Sequence, residues 1–216
     1  MAVAISGGVD SLALAYLLAE HRRTQQEPVE LIGIHLRLDG DGETAGLDSQ
    51  VLEWCDGLGL DVKQVPPRFD AADQPPLDCF RCAQIRRRSL LEVANGAGCS
   101  HLALGHHADD VVETWLMALF FTGRPEAMAP VRSYFGGSVT IVRPLYEMQK
   151  RELLRLGRLA GIPRTEVSCS READNRRVRV AEALGALGRD ERLVRRQLFW
   201  AAVREFETSR ESQRSE

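Results

Sequence analysis

The fold is decided by the stretch AVAISGGVDS at residues 2–11, which runs into the apolar sequence LALAYLL at residues 12–18. A short apolar strand stops at two glycines, and a helix begins at once. The glycines allow a tight turn and the close approach of a ligand. The free N–H groups at the start of the helix then favour an anion. The pattern predicts a phosphate-binding loop; the alternative is a plain glycine turn between a buried strand and a helix.

Strands alternate with helices along the rest of the chain, which predicts an α/β fold. We expect an open, mostly parallel five-stranded sheet with helices on both faces, followed by a short helical C-terminal region. The predicted strands are residues 2–5, 29–38, 60–65, 101–104 and 138–142, and the predicted helices include residues 47–58, 84–97, 108–122, 150–160 and 191–207. We place a boundary near Pro163, between a nucleotide-binding domain at 1–163 and a basic helical extension with a polar tail at 164–216.

Ligands of such sheets bind beyond the carboxyl ends of the strands, where the strand order reverses. The loops that follow the first, second and fourth predicted strands begin near Ser6, His35 and Gly105. These three loops should therefore meet at one crevice.

The composition argues against a membrane protein, an exported protein and a disulfide-stapled scaffold. The 216 residues are 44% hydrophobic, but we find no apolar run of eighteen residues and no leader peptide. Five cysteines, an odd number, suit free thiols, metal ligands or reactive groups in a reducing compartment better than disulfides. We therefore expect a cytoplasmic protein.

Charge is distributed unevenly along the chain. There are 28 Lys and Arg against 31 Asp and Glu, a net charge of −3. Residues 150–204 hold 14 basic and 7 acidic residues, so this segment carries +7 and the remainder −10. A basic C-terminal third favours an anionic partner such as RNA, and solvated helices are the alternative. The residues expected to face the RNA are Arg176, Arg177, Arg179, Arg195 and Arg196.

A second polar motif, LGHHADDVVET at residues 104–114, joins the fourth predicted strand to a helix. Gly105 permits close approach of a ligand. Asp109 and Asp110 fall in the first helical turn, where carboxylates suit the helix dipole and can bind Mg²⁺. Of the two histidines we give a role only to His106. The alternative is a capped surface helix.

The cysteines leave several chemistries open. Cys79 and Cys82 form a C-x-x-C at the start of a helix, and Cys169 lies far along the chain. A redox pair, half of a zinc site or coincidence would each fit the C-x-x-C, and zinc could take these three thiols with a fourth ligand. Cys55 and Cys99, isolated among apolar residues, are predicted to be core thiols.

The sequence resembles the PP-loop ATPases, and several motifs carry the resemblance. S-G-G-V-D-S at 6–11 resembles their pyrophosphate loop. L-G-H-x-x-D-D-x-x-E-T at 104–114, with R-P-L at 143–145, resembles the members that modify tRNA bases. C-x-x-C-x-x-x-R-R at 79–87 is similar to the tRNA 2-thiolation enzymes, particularly the tRNA 2-thiocytidine synthase family, in which a third cysteine falls where Cys169 stands.

The resemblance covers the chain from the first strand to about Glu207, with two departures. The chain starts almost on its first strand, whereas the family has a segment before the loop, so we expect a short lineage or a missing start. Ser170-Arg171-Glu172 replaces the family's usual continuation after Cys169.

The resemblance implies an ATP-dependent enzyme that forms AMP and pyrophosphate. It would adenylate a carbonyl oxygen of a tRNA base and replace that oxygen with sulfur carried on a [4Fe–4S] cluster. Catalytic roles are implied for Asp10, Arg86 and Asp110, with Mg²⁺ near the two carboxylates. Cys79, Cys82 and Cys169 would hold the cluster, or zinc in aerobic preparations. The residues implied to bind ATP are Ser6, Gly7, Gly8, Asp10, Ser11, His35, Leu36, Gly105 and His106.

The implied partners are tRNA, a sulfur donor protein or sulfide, and a second copy of the chain in a homodimer. Two alternatives stand beside this reading. One is a PP-loop ligase of the lysidine-synthetase type, whose amine nucleophile needs no joined cysteines. The other is a nucleotide- and metal-binding module without turnover, which would tolerate the loss of Asp10 and Asp110.

Overall fold

The computed structural model describes residues 1–25, 29–38, 46–71, 73, 77–165 and 176–214, with side chains described up to residue 208. These residues form a single six-stranded sheet flanked by α-helices. The strands are β1 (Ala2–Ala4), β2 (Ile32–Leu36), β3 (Val62–Val65), β4 (His101–Ala103), β5 (Val131–Tyr134) and β6 (Val139–Val142). The helices are α1 (Val9–Thr24), α2 (Ser49–Gly57), α3 (Cys79–Gly96), α4 (Ala108–Thr122), α5 (Lys150–Leu159), α6 (Arg176–Gly185) and α7 (Glu191–Arg214).

The strand order is β3-β2-β1-β4-β6-β5, and every neighbouring pair is parallel except β5 with β6. Crossovers run outward in both directions from the centre, so the strand order reverses between β1 and β4. At such a point the loops that leave the two strands separate and open a crevice. The expected mostly parallel α/β sheet is confirmed, and the crevice lies between the loops after β1 and β4.

Strand β5 was not predicted from the sequence. Its four residues, VRSY, are largely exposed at the edge of the sheet and show no apolar alternation. Antiparallel pairing with β6, from Val131 opposite Val142 to Tyr134 opposite Val139, is what makes this segment a strand. An exposed edge strand has little hydrophobic signal, because packing on neither face selects its residues.

Successive residues of the central strands enter two different cores, as the period of two in a strand requires. Val3 and Ala103 face a core shared with α1, α2 and α5. Ala2 and Leu102 face a core shared with α3 on the opposite side. Helices therefore cover both faces of the sheet, as predicted.

A third core joins the C-terminal helices to α4. Its buried side chains are Val111, Val112 and Leu116 of α4, Val180 and Leu184 of α6, Phe199 and Ala202 of α7, and Tyr146. The rings of Tyr146 and Phe199 lie 5.6 Å apart. This packing brings the basic end of the chain to the first turn of α4. Within the described ranges, no helix combines the length and hydropathy needed to cross a bilayer.

A candidate nucleotide site at the carboxyl end of the sheet

The phosphate loop, residues Ser6–Ser11, is closed by its own hydrogen bonds. The Ser11 hydroxyl accepts from the backbone N–H of Ser6 at 3.1 Å and donates to the carbonyl of Gly8 at 2.9 Å. Gly7 has a φ of 90°, in the region that only glycine adopts without strain. Gly8 caps α1 without a side-chain hydrogen bond, so the first-turn N–H groups are left for an anion. The predicted loop geometry is present.

The loop after β4 meets the phosphate loop backbone to backbone. A Cβ added at Gly105 would lie 3.0 Å from the carbonyl carbon and oxygen of Asp10 and 3.1 Å from the nitrogen of Ser11. Only a residue without a side chain fits this contact. Thr165 closes the loop from the other side, donating its hydroxyl to the carbonyl of Gly7 at 2.8 Å. The two sequence motifs therefore form one site at the switch point of the sheet.

Asp10 is held by two cationic or polar partners from distant parts of the chain. The Lys150 ammonium donates to both carboxylate oxygens of Asp10, at 2.7 and 2.6 Å. Nε2 of His107 lies 3.7 Å from the same carboxylate. Partial burial by itself would raise the pKa of Asp10, but His107 and Lys150 outweigh burial and the pKa is lowered. Asp10 is therefore ionised and paired with the Lys150 ammonium.

His107, to which the sequence analysis gave no role, lies at the centre of the carboxylates. The residue is only 5% exposed. Its ring nitrogens lie 3.7 Å from Asp10, 3.7 Å from Asp109 and 3.4 Å from Asp110. Burial opposes protonation, but Asp10, Asp110 and Asp109 prevail and raise the pKa of His107. Nδ1 is buried without a hydrogen-bond partner among the described residues.

Two arginines from the C-terminal helices neutralise the acidic turn, which we define as Asp109, Asp110 and Glu113 of α4. Arg177 of α6 donates to Asp110 at 3.1 Å. Nη1 of Arg195 in α7 lies 3.3 Å from Asp109 and 3.5 Å from Glu113. Both guanidinium groups therefore pair with carboxylates of the chain, and their contact with an RNA stays a prediction.

Two histidines predicted to contact the nucleotide, His35 and His106, are held by hydrogen bonds to other parts of the chain. His106 accepts from Nε of Arg143 at 3.1 Å, and the same guanidinium donates to the carbonyl of Ala129. Burial lowers the pKa of His106 to about 4 and that of Arg143 to about 10. Nδ1 of His35 lies 2.8 Å from the carbonyl oxygen of Ile5. These contacts fix both rings, and their contact with a nucleotide, like that of Leu36, stays a prediction.

The C-x-x-C pair lies at the first turn of α3, next to the carboxyl end of β2. Cys79 is exposed, and Cys82 is buried in a small cluster that includes Leu38, Leu77 and Ile85. Positions i and i+3 share one helix face, so the two thiols can serve one metal group. Cys169 lies outside the described residues.

The structure also describes the surroundings of Cys55, Cys99 and Arg86. Cys55 is buried in the core beside α1, where burial raises the pKa of its thiol to about 11. Cys99 is partly buried against the core beside α3. Both are core thiols, as predicted. Arg86 extends from α3 to the end of β2, where Nη2 donates to the carbonyl of Leu38 at 2.7 Å.

The carboxylates of Asp10 and Asp110 both approach Nε2 of His107, at 3.7 and 3.4 Å. Each is also paired with a cationic side chain, Asp10 with Lys150 and Asp110 with Arg177. Within the described part of the chain, no three His, Cys, Asp or Glu side chains are arranged to hold a metal by themselves. The carboxylates are therefore balanced by cationic side chains, and the predicted Mg²⁺ stays a prediction.

Sequence reasoning missed Lys150, although one signal for it existed. Lys150 is the first residue of α5, and a cation is disfavoured at the positive end of a helix. Its ammonium is stabilised by Asp10, and its backbone N–H donates to Asp109 at 2.8 Å. A lysine in such a position indicates a carboxylate partner, but the sequence does not say which one.

Comparisons with known proteins agree with this geometry. A tRNA-cytidine(32) 2-sulfurtransferase of Citrifermentans bemidjiense is 32% identical over 207 residues, covering 93% of this chain and 80% of the relative. Its counterpart in Geobacter metallireducens is 33% identical over 210 residues, with the same coverage. The solved U34-tRNA thiolase NcsA from Methanococcus maripaludis, with its [4Fe–4S] cluster, has the same fold, with a TM-score of 0.76 at 23% identity over 95% of this chain and 72% of that chain. The model of the PP-loop domain matches residues 1–185, and the chain therefore belongs to the PP-loop domain family.

Proposed function

We propose that the protein is an ATP-dependent tRNA thiolation enzyme that replaces the 2-oxygen of a cytidine with sulfur. The observation that carries the proposal is that three features lie at the carboxyl end of one sheet: the phosphate loop, the acidic turn and the C-x-x-C of α3. Relatives named tRNA-cytidine(32) 2-sulfurtransferase, 32% and 33% identical over 93% of the chain, support this substrate class. An amine-dependent ligase would have no use for the paired thiols.

The phosphate loop would hold ATP by its β- and γ-phosphates. The free N–H groups at the start of α1 and the Ser11 hydroxyl suit these oxygens. The base oxygen attacks the α-phosphorus, the bond to the β-phosphate oxygen breaks, and pyrophosphate leaves on the loop. Sulfide then attacks the activated carbon and AMP departs with the former base oxygen. The chain supplies chiefly positioning and charge stabilisation for these two displacements.

Asp10 and Asp110 would hold Mg²⁺ against the phosphates, where the ion would supply charge neutralisation. The Lys150 side chain is 40% exposed and has room to turn from Asp10 toward a phosphate oxygen. Arg177 and His107 keep Asp110 and Asp10 oriented. Arg86 would neutralise a phosphate of ATP or of the RNA, and Arg86, Asp10 and Asp110 form the proposed catalytic set.

Cys79, Cys82 and Cys169 would hold the [4Fe–4S] cluster. With three protein ligands the cluster keeps one iron free to carry hydrosulfide, and that is the chemistry it would supply. In the described part of the chain, Cys82 is anchored in its apolar cluster while Cys79 is open to solvent. In aerobic preparations zinc would take the same thiols.

The proposed partners are tRNA, a sulfur donor that delivers sulfide or persulfide, and a second copy of the chain. We also propose that the chain divides into a nucleotide domain at 1–163 and an RNA-facing helical extension at 164–216. The proposed site of action is the cytoplasm, where tRNA is found. Exposed apolar side chains at Phe120 and Val131 support self-association, which light scattering on the purified protein tests.

The proposal is tested with protein purified without oxygen, unmodified tRNA, ATP, Mg²⁺ and sulfide. We expect about four irons and four sulfides per chain, AMP and pyrophosphate as products, and 2-thiocytidine in digests of the tRNA. Cys79→Ala should abolish thiolation and leave ATP binding, whereas Cys55→Ala should cost only stability, on the order of 1 kcal/mol. ADP as the product, or thiolation that persists in Cys79→Ala, would overturn the proposal.

A further inference from the structure

A cavity of about 710 Å³ opens between the first turns of α4 and α5 and one face of α7. Its lining includes the acidic turn together with Asp10, and basic and aromatic side chains of α7. Its volume is that of a site for a small molecule or a single nucleotide, about 300–1,000 Å³. The cavity therefore connects the reaction centre with the surface of the C-terminal helices.

The basic wall is a stripe along α7 formed by Arg192, Arg196 and Trp200. Spacings of four residues place these three side chains on one face of the helix. All three are exposed, and the indole of Trp200, 45% exposed, rests edge-on against Phe199 with the ring centroids 5.2 Å apart. This contact orients the indole and leaves much of its surface open for stacking.

The arginines of α7 divide into two kinds. Arg195 is 19% exposed and engaged with Asp109, Glu113 and Glu191. Arg192 and Arg196 have no ion pair or hydrogen bond within the described residues. Neither is needed to neutralise the acidic turn, so both are available to an anion from outside the chain. Two guanidinium groups one helical turn apart, beside an exposed indole, match the phosphate and the base of a nucleotide.

The occupant is an RNA nucleotide rather than the ATP that reacts. The phosphates of ATP have their proposed site on the phosphate loop, and Ser6, Gly7 and Gly8 of that loop are not among the residues that line the cavity with the basic stripe. Among the described residues none from α3, the helix of Cys79 and Cys82, lines the cavity. The base that receives sulfur must reach those thiols, so the cavity suits a neighbour of that base in the RNA strand.

We propose that this cavity holds an unpaired nucleotide adjacent to the target base of the RNA, stacked on Trp200 with its phosphates paired to Arg192 and Arg196. The inference rests on the proposed function and names the subsite that orients its substrate. Stacking requires an unpaired base, because a base inside a helix has no free face.

The test compares Trp200→Ala, Trp200→Phe and the double change Arg192→Ala with Arg196→Ala, using unmodified tRNA and, separately, ATP. Arg204→Ala is the matched control, since Arg204 is an exposed arginine of α7 outside the cavity. Loss of one stacked base should weaken tRNA binding by about 5- to 150-fold in Trp200→Ala. Trp200→Phe, which keeps an aromatic face, should restore most of it.

The salt dependence separates phosphate contacts from folding defects. In the double arginine variant, the slope of log affinity against log salt should fall by about 0.7 for each lost single-strand contact. Binding of ATP should stay unchanged in every variant, and Arg204→Ala should match wild type. These results together would support the subsite.

Three outcomes overturn it. If wild type binds and thiolates tRNA and the cavity variants do so equally well, the subsite is wrong while the proposed function stands. If Trp200→Ala and Trp200→Phe lose tRNA binding equally, or if ATP binding falls with them, Trp200 has a structural role or serves ATP. If wild type neither binds nor thiolates tRNA, the proposed function fails and the subsite with it.

Discussion

The phosphate loop and the acidic turn lie side by side, but they are built in opposite ways. Hydrogen bonds within the loop join residues no more than five positions apart, as between Ser6 and Ser11. The carboxylates of the acidic turn accept hydrogen bonds from residues that are distant in the sequence. Lys150 donates to Asp109, 41 residues away, and Arg177 donates to Asp110, 67 residues away. The closure of the loop is therefore local, although Gly7 and Asp10 also accept from Thr165 and Lys150. The charges of the acidic turn are balanced only when α5, α6 and α7 are docked.

Substitutions in the two regions should therefore have different effects. A change inside the loop alters the binding of phosphates directly. A change among the distant partners leaves the loop intact but exposes like charges to one another in a half-buried site. Asp10 belongs to the loop by sequence and to the acidic turn by its contacts with Lys150 and His107. It is therefore the residue through which the two regions act together.

The largest effect is expected from Asp10→Asn. The change removes the charge that faces Lys150 and the proposed Mg²⁺ while keeping the size of the side chain. Formation of AMP and pyrophosphate should fall by on the order of 100-fold or more, the scale of losing one charge-stabilising group. Thermal stability should also fall, because the lowered pKa of Asp10 means that its ionised form stabilises the fold, and asparagine leaves Lys150 and His107 without that charge. Asp48→Asn is the control, because asparagine replaces aspartate well at the N-cap of α2. Full activity in Asp10→Asn would show that the charge of Asp10 takes no part in the reaction.

Next in size is Gly105→Ala, which tests the contact between the two regions. The new Cβ would lie 3.0 Å from the backbone of Asp10, so one of the two turns must shift. We expect a loss of about 1–3 kcal/mol in the free energy of unfolding, with weaker ATP binding. Gly96→Ala, whose Cβ meets nothing within 4 Å, should be neutral or stabilising. Equal behaviour of the two variants would show that the turns do not constrain one another.

The same contrast explains what the sequence could predict. The β1 strand, the glycine turn and the start of α1 are signalled by adjacent residues, so the loop and its place in a parallel sheet were predicted correctly. The family was recognisable for the same reason, since its motifs are short and contiguous. The mostly parallel sheet was predicted from the alternation of strands and helices, and of the described strands only the polar edge strand β5 was missed.

Contacts between distant residues could not be predicted in this way. The sequence places Asp109 and Asp110 at the start of a helix but does not identify what balances their charge. In the sequence, nothing distinguishes Arg177 and Arg195 from Arg196. In the structure, the first two pair with Asp110 and Asp109 of α4, whereas Arg196 is exposed. That choice depends on how the apolar residues of α6 and α7 pack against α4.

A smaller effect is expected from Arg195→Ala, which removes a distant partner of the acidic turn. Asp109 and Glu113 would then lie largely buried without this cation, at a cost of about 1–2 kcal/mol in the free energy of unfolding. Arg204→Ala, an exposed position on the same helix, should cost less than about 0.5 kcal/mol. Urea denaturation of both variants measures the difference. Equal stabilities would mean that solvent already screens the acidic turn.

The smallest effect is a pH dependence from His106, which lies between the two regions. Burial lowers the pKa of His106 to about 4, with Asp110 opposing the shift and Arg143, Arg177 and Arg87 adding to it. The unfolded chain, in which the histidine has its ordinary pKa of about 6.5, then binds the proton more readily than the folded chain. His106 therefore contributes stability above pH 6.5, and that contribution is lost as the pH falls toward 4.

His106→Asn isolates this contribution, because asparagine can still accept from Arg143 but cannot take up a proton. Between pH 7 and pH 6, wild type should lose about 0.7 kcal/mol more in the free energy of unfolding than the variant. Above pH 7 the two stability curves should run parallel, since neither side chain then titrates. His101→Asn, at a partly exposed strand end away from Arg143, controls for the general effect of removing a histidine. If the wild-type and His106→Asn curves stay parallel down to pH 5, the imidazole takes up its proton in the folded protein as easily as in the unfolded one, and the site around it is open to water.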